Sequence, residues 1–200
     1  NLFFVFQKNG NVPLAGEHGF GLYYNDCRYL SGYELKMGGR DPRLLVSDAS
    51  KGFMCISQLS NPEIEEGEGD GAPMDEIGVT WRRLVDSSDI TLHDSLEFMN
   101  YGRDRATFPI SLHFECDFRD VFAIRGLWPH QPGTARAPRW EEDSLIFGYD
   151  GADGIKRRMR AQFRPRPASR EGTRAKYHLE PEPRERFEVQ ISFVISEVMF

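Results

Sequence analysis

Four acidic side chains of this 200-residue chain could supply acid or base chemistry. Asp117 and Asp120 stand three residues apart in an apolar segment. Asp26 stands just before Arg28, and Glu115 falls on the polar face of a predicted strand. Glycoside hydrolysis needs two carboxyl groups placed across the bond that is cleaved. A carboxylate at a strand end more often accepts backbone N–H bonds or pairs with an arginine. We therefore expect structural roles here and predict no catalytic residue in this chain.

Arginines close to these carboxylates suggest their partners. Asp26 lies two residues before Arg28, and Asp120 lies five residues before Arg125. An arginine and a carboxylate form a charge-assisted, often bidentate hydrogen bond. We predict that one or the other of these couples is buried or half-buried and fixes a strand end to its loop.

The tryptophans are candidates for contact with sugar rings. Trp128 and Trp140 bound a proline-rich segment with little periodicity, which predicts a loop that could present them to a ligand. Their flat apolar faces match the C–H faces of pyranoses, but tryptophans also pack such loops down. Both roles stay open. Trp81 lies within a predicted strand and is expected in the core.

Other reactive residue types give no constellation. The five histidines are scattered, and Cys27, Cys55 and Cys116 include no CxxC pair, which argues against a zinc site or a disulfide framework. The glycines of segment 16–21 precede a predicted strand and include no lysine, so a phosphate-binding loop is not expected. We predict no metal site and no cofactor, and the sparse cysteines favour a cytoplasmic location.

Charge and hydropathy exclude two classes of partner. The net charge is -6, so no nucleic acid is expected as a partner. The basic clusters at 156–160 and 164–174 are followed closely by glutamates and predict a solvated, mixed-charge surface. No segment is long and apolar enough for a membrane span. The chain lacks an initiator Met and stops in an apolar run, as expected for a domain excised from a longer protein.

The elements that must position these residues are strands. Gly38 and Gly39 predict a two-residue hairpin turn, because glycine tolerates positive φ at both positions. Segments 61–73 and 128–140 lack periodicity and predict long loops. Short turns between the strands predict an all-β, antiparallel β-sandwich in one domain, residues 1–200. Period-two alternation predicts strands over 28–37, 43–47, 53–59, 77–86, 90–100, 107–117, 144–149, 156–163, 175–179 and 186–195.

Four strings resemble the N-terminal β-domain of glycogen debranching enzyme-like (amylo-α-1,6-glucosidase-like) proteins. Residues 21–31, GLYYNDCRYLS, resemble its G-L-F-x-x-D-T-R-x-L-S signature, and residues 117–126, DFRDVFAIRG, resemble its D-F-x-D-x-F-E-V-R-G segment. Residues 100–102 and 150–158 match two of its turns. Cys27 replaces the usual threonine, and Ala123 replaces the usual glutamate, which removes the carboxylate that the family has at that position.

The resemblance implies an accessory role. Hydrolysis in such proteins is assigned to a following (α/α)-barrel domain, and the β-domain is similar to the N-terminal supersandwiches of other barrel-type glycosidases. We expect a non-catalytic domain that supports this barrel, with Asp26, Arg28, Asp117, Asp120 and Arg125 as structural or interface residues, and that could contact an α-glucan. The alternatives are a carbohydrate-binding module built on Trp128 and Trp140, or a structural domain without a ligand that forms homo-oligomers.

Overall fold

A computed structural model describes residues 1–67, 70–127 and 132–199, and these residues form strands with one short helix. In that part of the chain, no helix reaches the length and apolar character that crossing a bilayer requires. The elements are β1 (Leu2–Val5), β2 (Gly21–Tyr24), β3 (Cys27–Leu30), β4 (Gly32–Met37), β5 (Arg43–Asp48), β6 (Met54–Ser60), β7 (Ile64–Gly67), β8 (Asp70–Ala72), β9 (Ile77–Asp86), β10 (Thr91–Asn100), β11 (Phe108–Glu115), α1 (Val121–Ile124), β12 (Thr134–Glu141), β13 (Ser144–Asp150), β14 (Ile155–Arg164), β15 (Ser169–Glu171), β16 (Arg174–Leu179) and β17 (Arg186–Met199).

The strands form two large and two small sheets. The largest has the order β12-β13-β14-β17-β10-β9-β6-β5, and the second has the order β15-β16-β11-β4. The strands β1-β2-β3 and β7-β8 make the small sheets. The ladders of the described strands are antiparallel. The predicted all-β, antiparallel sandwich is therefore confirmed.

The main core lies between the eight-stranded and the four-stranded sheets. Alternate residues of β11 point inward, which buries Phe108, Ile110, Leu112 and Phe114. The Phe114 ring lies 5.6 Å from the ring of Phe163 on β14 and 5.8 Å from that of Phe193 on β17. Such aromatic contacts across the two sheets remove large apolar areas from water, which is the main favourable term in folding.

The predicted two-residue turn at Gly38 and Gly39 is confirmed by the bridge between Met37 and Arg40, but the returning strand expected after it, residues 43–47, does not pair with β4. Both glycines have positive φ, at 55° and 77°, as the turn requires. However, β4 pairs with β11 on the four-stranded sheet, while β5 pairs with β6 on the eight-stranded sheet. The chain therefore changes sheets after this turn, because the buried face of β4 completes the core opposite the larger sheet.

The two predicted long loops also contain strands. Segment 61–73 holds the β7-β8 hairpin, and segment 128–140 includes most of β12, which pairs with β13. The side chains of β12 are almost all exposed, so an edge strand without a buried face leaves no apolar alternation to read.

A buried ion pair lies on the inner face of the eight-stranded sheet. Arg83 on β9 donates from Nε to the Asp94 Oδ2 atom on β10 at 3.1 Å, and from Nη1 to the Gly10 carbonyl at 2.5 Å. The Trp81 indole N–H donates to the same Asp94 oxygen at 2.8 Å, and the guanidinium lies 3.9 Å from the Trp81 ring centroid. The pair thereby ties the segment after β1 to the sheet.

We predict that the two charges of this pair are strongly coupled in stability. Asp94→Leu alone should lower the free energy of unfolding by about 3–5 kcal/mol, because Arg83 stays charged and buried without a counter-ion. The double variant Arg83→Met/Asp94→Leu should lower the free energy of unfolding by less than the sum of the losses in the two single variants. Urea denaturation of the four proteins measures the coupling.

The matched control is Asp41→Asn, which removes an exposed ion pair with Lys36. This change should lower the free energy of unfolding by less than about 1 kcal/mol. Additive costs for the Arg83 and Asp94 changes would contradict the coupling.

Candidate functional site

The β2–β3 hairpin forms one end of the sandwich and carries the first of the family-like strings. Its two-residue turn consists of Asn25 and Asp26, with φ of 46° and 61°. Asn and Asp are the non-glycine residues that best tolerate this left-handed region, so the sequence selects a tight turn here. The Asp26 side chain is exposed. The backbone carbonyl of Asp26 accepts a hydrogen bond from the Val121 N–H at 2.7 Å.

Arg28 pairs with Asp117, and the predicted Asp26–Arg28 couple is wrong. The Arg28 Nε lies 3.1 Å and 3.2 Å from the two Asp117 oxygens, and Nη2 makes a closer contact with the same carboxylate. Nη1 donates to the carbonyls of His18 at 2.7 Å and Phe20 at 3.2 Å. Asp26 sits in the exposed turn, whereas Arg28 on β3 is buried beside the chain that follows β11.

The charge of Arg28 is stabilised in spite of its burial. Only 5% of the residue is exposed, and burial alone would lower the pKa of the guanidinium. The hydrogen bond and the charge of Asp117 outweigh this effect and raise that pKa. Arg28 thus acts as a charged clamp that holds the chain before β2, strand β3 and the chain after β11 together.

Asp120 caps helix α1, and the predicted Asp120–Arg125 couple is also wrong. The Asp120 carboxylate accepts the N–H groups of Phe122 at 2.8 Å and Ala123 at 3.3 Å, as an N-cap residue does. Arg125 follows the helix and is exposed. A bridge between Asp120 and Cys27 joins this segment to β3.

Phe118 connects the helix segment to the eight-stranded sheet. It has φ of 51°, which is uncommon for a bulky residue, and it is buried. Its ring stacks on Tyr149 of β13 at 5.2 Å and meets Tyr29 of β3 edge-on at 5.4 Å. The left-handed turn sends Phe118 into the core while Asp117 and Asp120 reach their partners.

Glu197 on β17 joins the hairpin to the β13–β14 turn. Its carboxylate accepts the Tyr29 hydroxyl at 2.6 Å and the Asn25 side-chain amide at 3.0 Å. The Arg157 guanidinium lies 3.5 Å away and also donates to Asp153, at 3.0 Å and 2.5 Å. Sequence reasoning missed this group. An isolated carboxylate in the apolar run at the end of the chain was the available signal.

Three of the four family-like strings therefore meet at one end of the molecule. We call this region the hairpin junction, and it comprises the turn 25–26, segment 117–127, the β13–β14 turn 151–154 and the end of β17. The fourth string lies elsewhere. Asn100 is buried there, and its amide donates to the carbonyls of Asp104 and Pro181, each at 2.9 Å.

Two apolar side chains close to the junction are exposed among polar and charged ones. Phe3 lies flat on Tyr23 at 4.8 Å and remains 40% exposed. Leu127, the last residue of segment 117–127, is 65% exposed. Val198 is 62% exposed, but it follows Glu197 in β17 and therefore faces away from the hairpin. Large apolar side chains left exposed on a folded domain are common at interaction surfaces.

The remaining titratable groups near this end show effects of burial. Burial raises the pKa of the Cys27 thiol to about 12, so the group is not a nucleophile at neutral pH. Burial also raises the pKa of Glu115, and the charges of Glu34 and Asp117 add to the effect. Among the described residues, no group of three or more His, Cys, Asp or Glu side chains is arranged to hold a metal ion.

The structure describes one of the two tryptophans that could contact sugar. Trp128 lies outside the described residues. Trp140 is half-buried on β12, where its indole N–H donates to the Gly172 carbonyl at 2.9 Å. The Arg170 guanidinium lies over its ring at 4.8 Å, and the Phe163 ring is 5.5 Å away. These contacts favour packing, and sugar binding by Trp140 stays a prediction.

Comparison with known proteins assigns the chain to a family of N-terminal domains. The sequence profile described as the N-terminal domain of (some) glycogen debranching enzymes matches residues 1–192. This chain belongs to that family. A search of curated proteins found no match.

A solved structure of a longer protein shares the fold at low sequence identity. A provisional kojibiose phosphorylase from human microbiome is similar with a TM-score of 0.61 and 9% identity, over 90% of this chain. This chain spans only 27% of that protein. A provisional aldose 1-epimerase from Escherichia coli K12 matches with 11% identity over 98% of this chain and 82% of its own, but at a TM-score of 0.40 the likeness is too distant to define a fold.

The clamp of Arg28 predicts a contrast between two aspartates. Asp117→Asn should lower the free energy of unfolding by about 3 kcal/mol, because the buried guanidinium loses its counter-ion. Asp26→Asn is the matched control and should change it by less than about 0.5 kcal/mol, since Asp26 is exposed and Asn tolerates the left-handed turn. Urea denaturation measures both. Equal costs for the two variants would contradict the assignment of Asp117 as the partner.

Proposed function

We propose that this chain is a non-catalytic N-terminal accessory domain of a glycogen debranching enzyme-like glycoside hydrolase. It forms one sandwich domain over residues 1–200, and a catalytic (α/α)-barrel that follows in the same polypeptide packs against the hairpin junction. One observation carries the proposal. Three of the four family-like strings meet at the hairpin junction, and the last strand, β17, ends there too.

The character of the junction surface supports a protein partner. Phe3 and Leu127 supply exposed apolar groups, and the exposed Asp26 and Arg125 supply charges in the same region. Interfaces between domains combine apolar and polar groups in this way. Beneath this surface, the Arg28–Asp117 clamp and the α1 cap hold the backbone in place, so a partner would meet a preorganised face.

The use of the carboxylates supports a role without catalysis. A glycosidase needs one carboxyl group as the acid and a second as the base or nucleophile, both facing the bond that is cleaved. Here the Asp117 carboxylate is taken by Arg28, and the Asp120 carboxylate is taken by the N–H groups of α1. Two of the four candidate carboxylates are thus occupied, and the proposal assigns the hydrolytic pair to the following domain.

Contact with an α-glucan is the second part of the proposal. Trp128 follows the exposed Leu127 directly in the sequence, and its flat apolar face suits the C–H face of a pyranose. The domain would thereby form one wall of the cleft in which the following domain binds its substrate.

The test is to incubate this chain with branched maltodextrins and to follow both glucose release and tryptophan fluorescence. We expect no glucose release above the blank, whereas the complete parent protein should release glucose under the same conditions. Quenching of fluorescence that Trp128→Phe abolishes and Trp140→Phe preserves would support the glucan contact.

Sustained glucose release by the isolated chain would contradict the accessory role. Unchanged fluorescence at high sugar concentration would remove the glucan contact from the proposal and leave the accessory role intact.

A further inference from the structure

The two edges of the eight-stranded sheet are built differently. The β12 edge contains Pro138 and the arginines at 136 and 139, and proline and positive charge are the usual means of blocking an edge from pairing with another strand. The β5 edge contains no proline, and its centre is Leu44, Leu45 and Val46. Leu45 is 57% and Val46 is 52% exposed. In the described part of the chain no further strand lies beside β5, and a strand that paired with it would have to match its bulge and its terminal charges.

Strand β5 contains a bulge, which determines which of its side chains share a face. Arg43, Val46 and Asp48 stand opposite Ser60, Gln58 and Ile56, which are alternate residues of β6, and the extra residue lies between Leu44 and Val46. Alternate residues of a strand share one face and one hydrogen-bonding direction. Because of the bulge, Arg43, Val46 and Asp48 lie on the same face of β5. Without it, Arg43 and Asp48 would lie on opposite faces, since they are an odd number of positions apart.

The sequence of β5 is complementary to itself when it runs antiparallel. When the bulge residue Leu45 is left out, the paired positions of β5 are symmetric about a twofold axis at Val46, so that Arg43 stands opposite the second copy's Asp48 and Val46 stands opposite the second copy's Val46. Opposite charges that face each other across an antiparallel pair are stabilising, and like charges are destabilising. The exposed Val46 would be buried at the axis, with the two charge pairs at the rim.

We propose that β5 is a self-association edge, along which two copies of this chain pair antiparallel about a twofold axis. The partner is thus a second copy, and the interface is isologous, as in most homodimers. The contact goes beyond the proposed accessory function. It leaves the hairpin junction free, because β5 lies four strands away from β17 in the sheet.

The charges of both rim residues suit this pairing. Asp48 is exposed, and hydrogen bonds from Ser50 lower the pKa of its carboxyl, so it is ionised at neutral pH. Arg43 contacts Asp75 at 2.5 Å through Nη2 only, and its side chain is 56% exposed. A guanidinium has five N–H donors, so Arg43 can keep Asp75 and bind a second carboxylate.

Sedimentation velocity over a wide range of protein concentration tests the proposal. The wild-type chain should form a dimer as the concentration rises. Asp48→Lys should abolish this association, because lysine then faces the second copy's Arg43. Arg43→Asp together with Asp48→Lys should restore it, because the exchanged charges are again opposite. Asp89→Lys is the control, since it makes the same charge change at an exposed turn outside the edge and should leave the dimer unchanged.

Circular dichroism of each variant checks folding, since Arg43→Asp places an acid beside Asp75. If that double variant does not fold, Val46→Lys gives the second test and should abolish the dimer by placing two lysines near the axis. A wild-type chain that stays monomeric at every concentration would overturn the proposal, as would a dimer that survives Asp48→Lys or Val46→Lys. None of these outcomes bears on the glucose assay, so failure of the dimer is distinguishable from failure of the accessory role.

Discussion

The structure of the hairpin junction depends on the need to neutralise one buried guanidinium. Arg28 is enclosed by β2 and by the chain that precedes it, where an unpaired charge would be very costly. Asp117 meets that need, and the carbonyls of His18 and Phe20 accept hydrogen bonds from Nη1. Once Asp117 is fixed, the short segment to Asp120 has few ways to run, and helix α1 and the side chain of Phe118 are placed as a consequence.

Strands with one buried face could be predicted closely from the sequence. The bounds of β9 agree with the predicted strand 77–86, because its alternation between inner and outer faces is regular. Pairing could not be predicted in the same way. The turn at Gly38 and Gly39 has the expected backbone, yet the strand after it joins the other sheet. Local turn chemistry sets a chain reversal, whereas the choice of sheet depends on long-range burial.

For the candidate site, the sequence indicated the residues but not their partners. Arg28 and Asp120 do hold loops in place, but through Asp117 and the backbone of α1. Closeness in sequence suggested Asp26 and Arg125, and both lie in exposed turns because the chain reverses there. The pair of Arg83 and Asp94 carried a readable signal. Each is a charge within an otherwise apolar alternating face, on strands that are consecutive in the sequence.

The central claim is that the hairpin junction is covered by a following domain. Hydroxyl-radical footprinting of the isolated chain and of the longer parent protein measures this directly. The claim predicts that Phe3 and Leu127, which are 40% and 65% exposed here, are oxidised much more slowly in the parent protein, while Tyr101 and Met74, 56% and 54% exposed, keep their rates. Equal oxidation of Phe3 and Leu127 in the two proteins would contradict it.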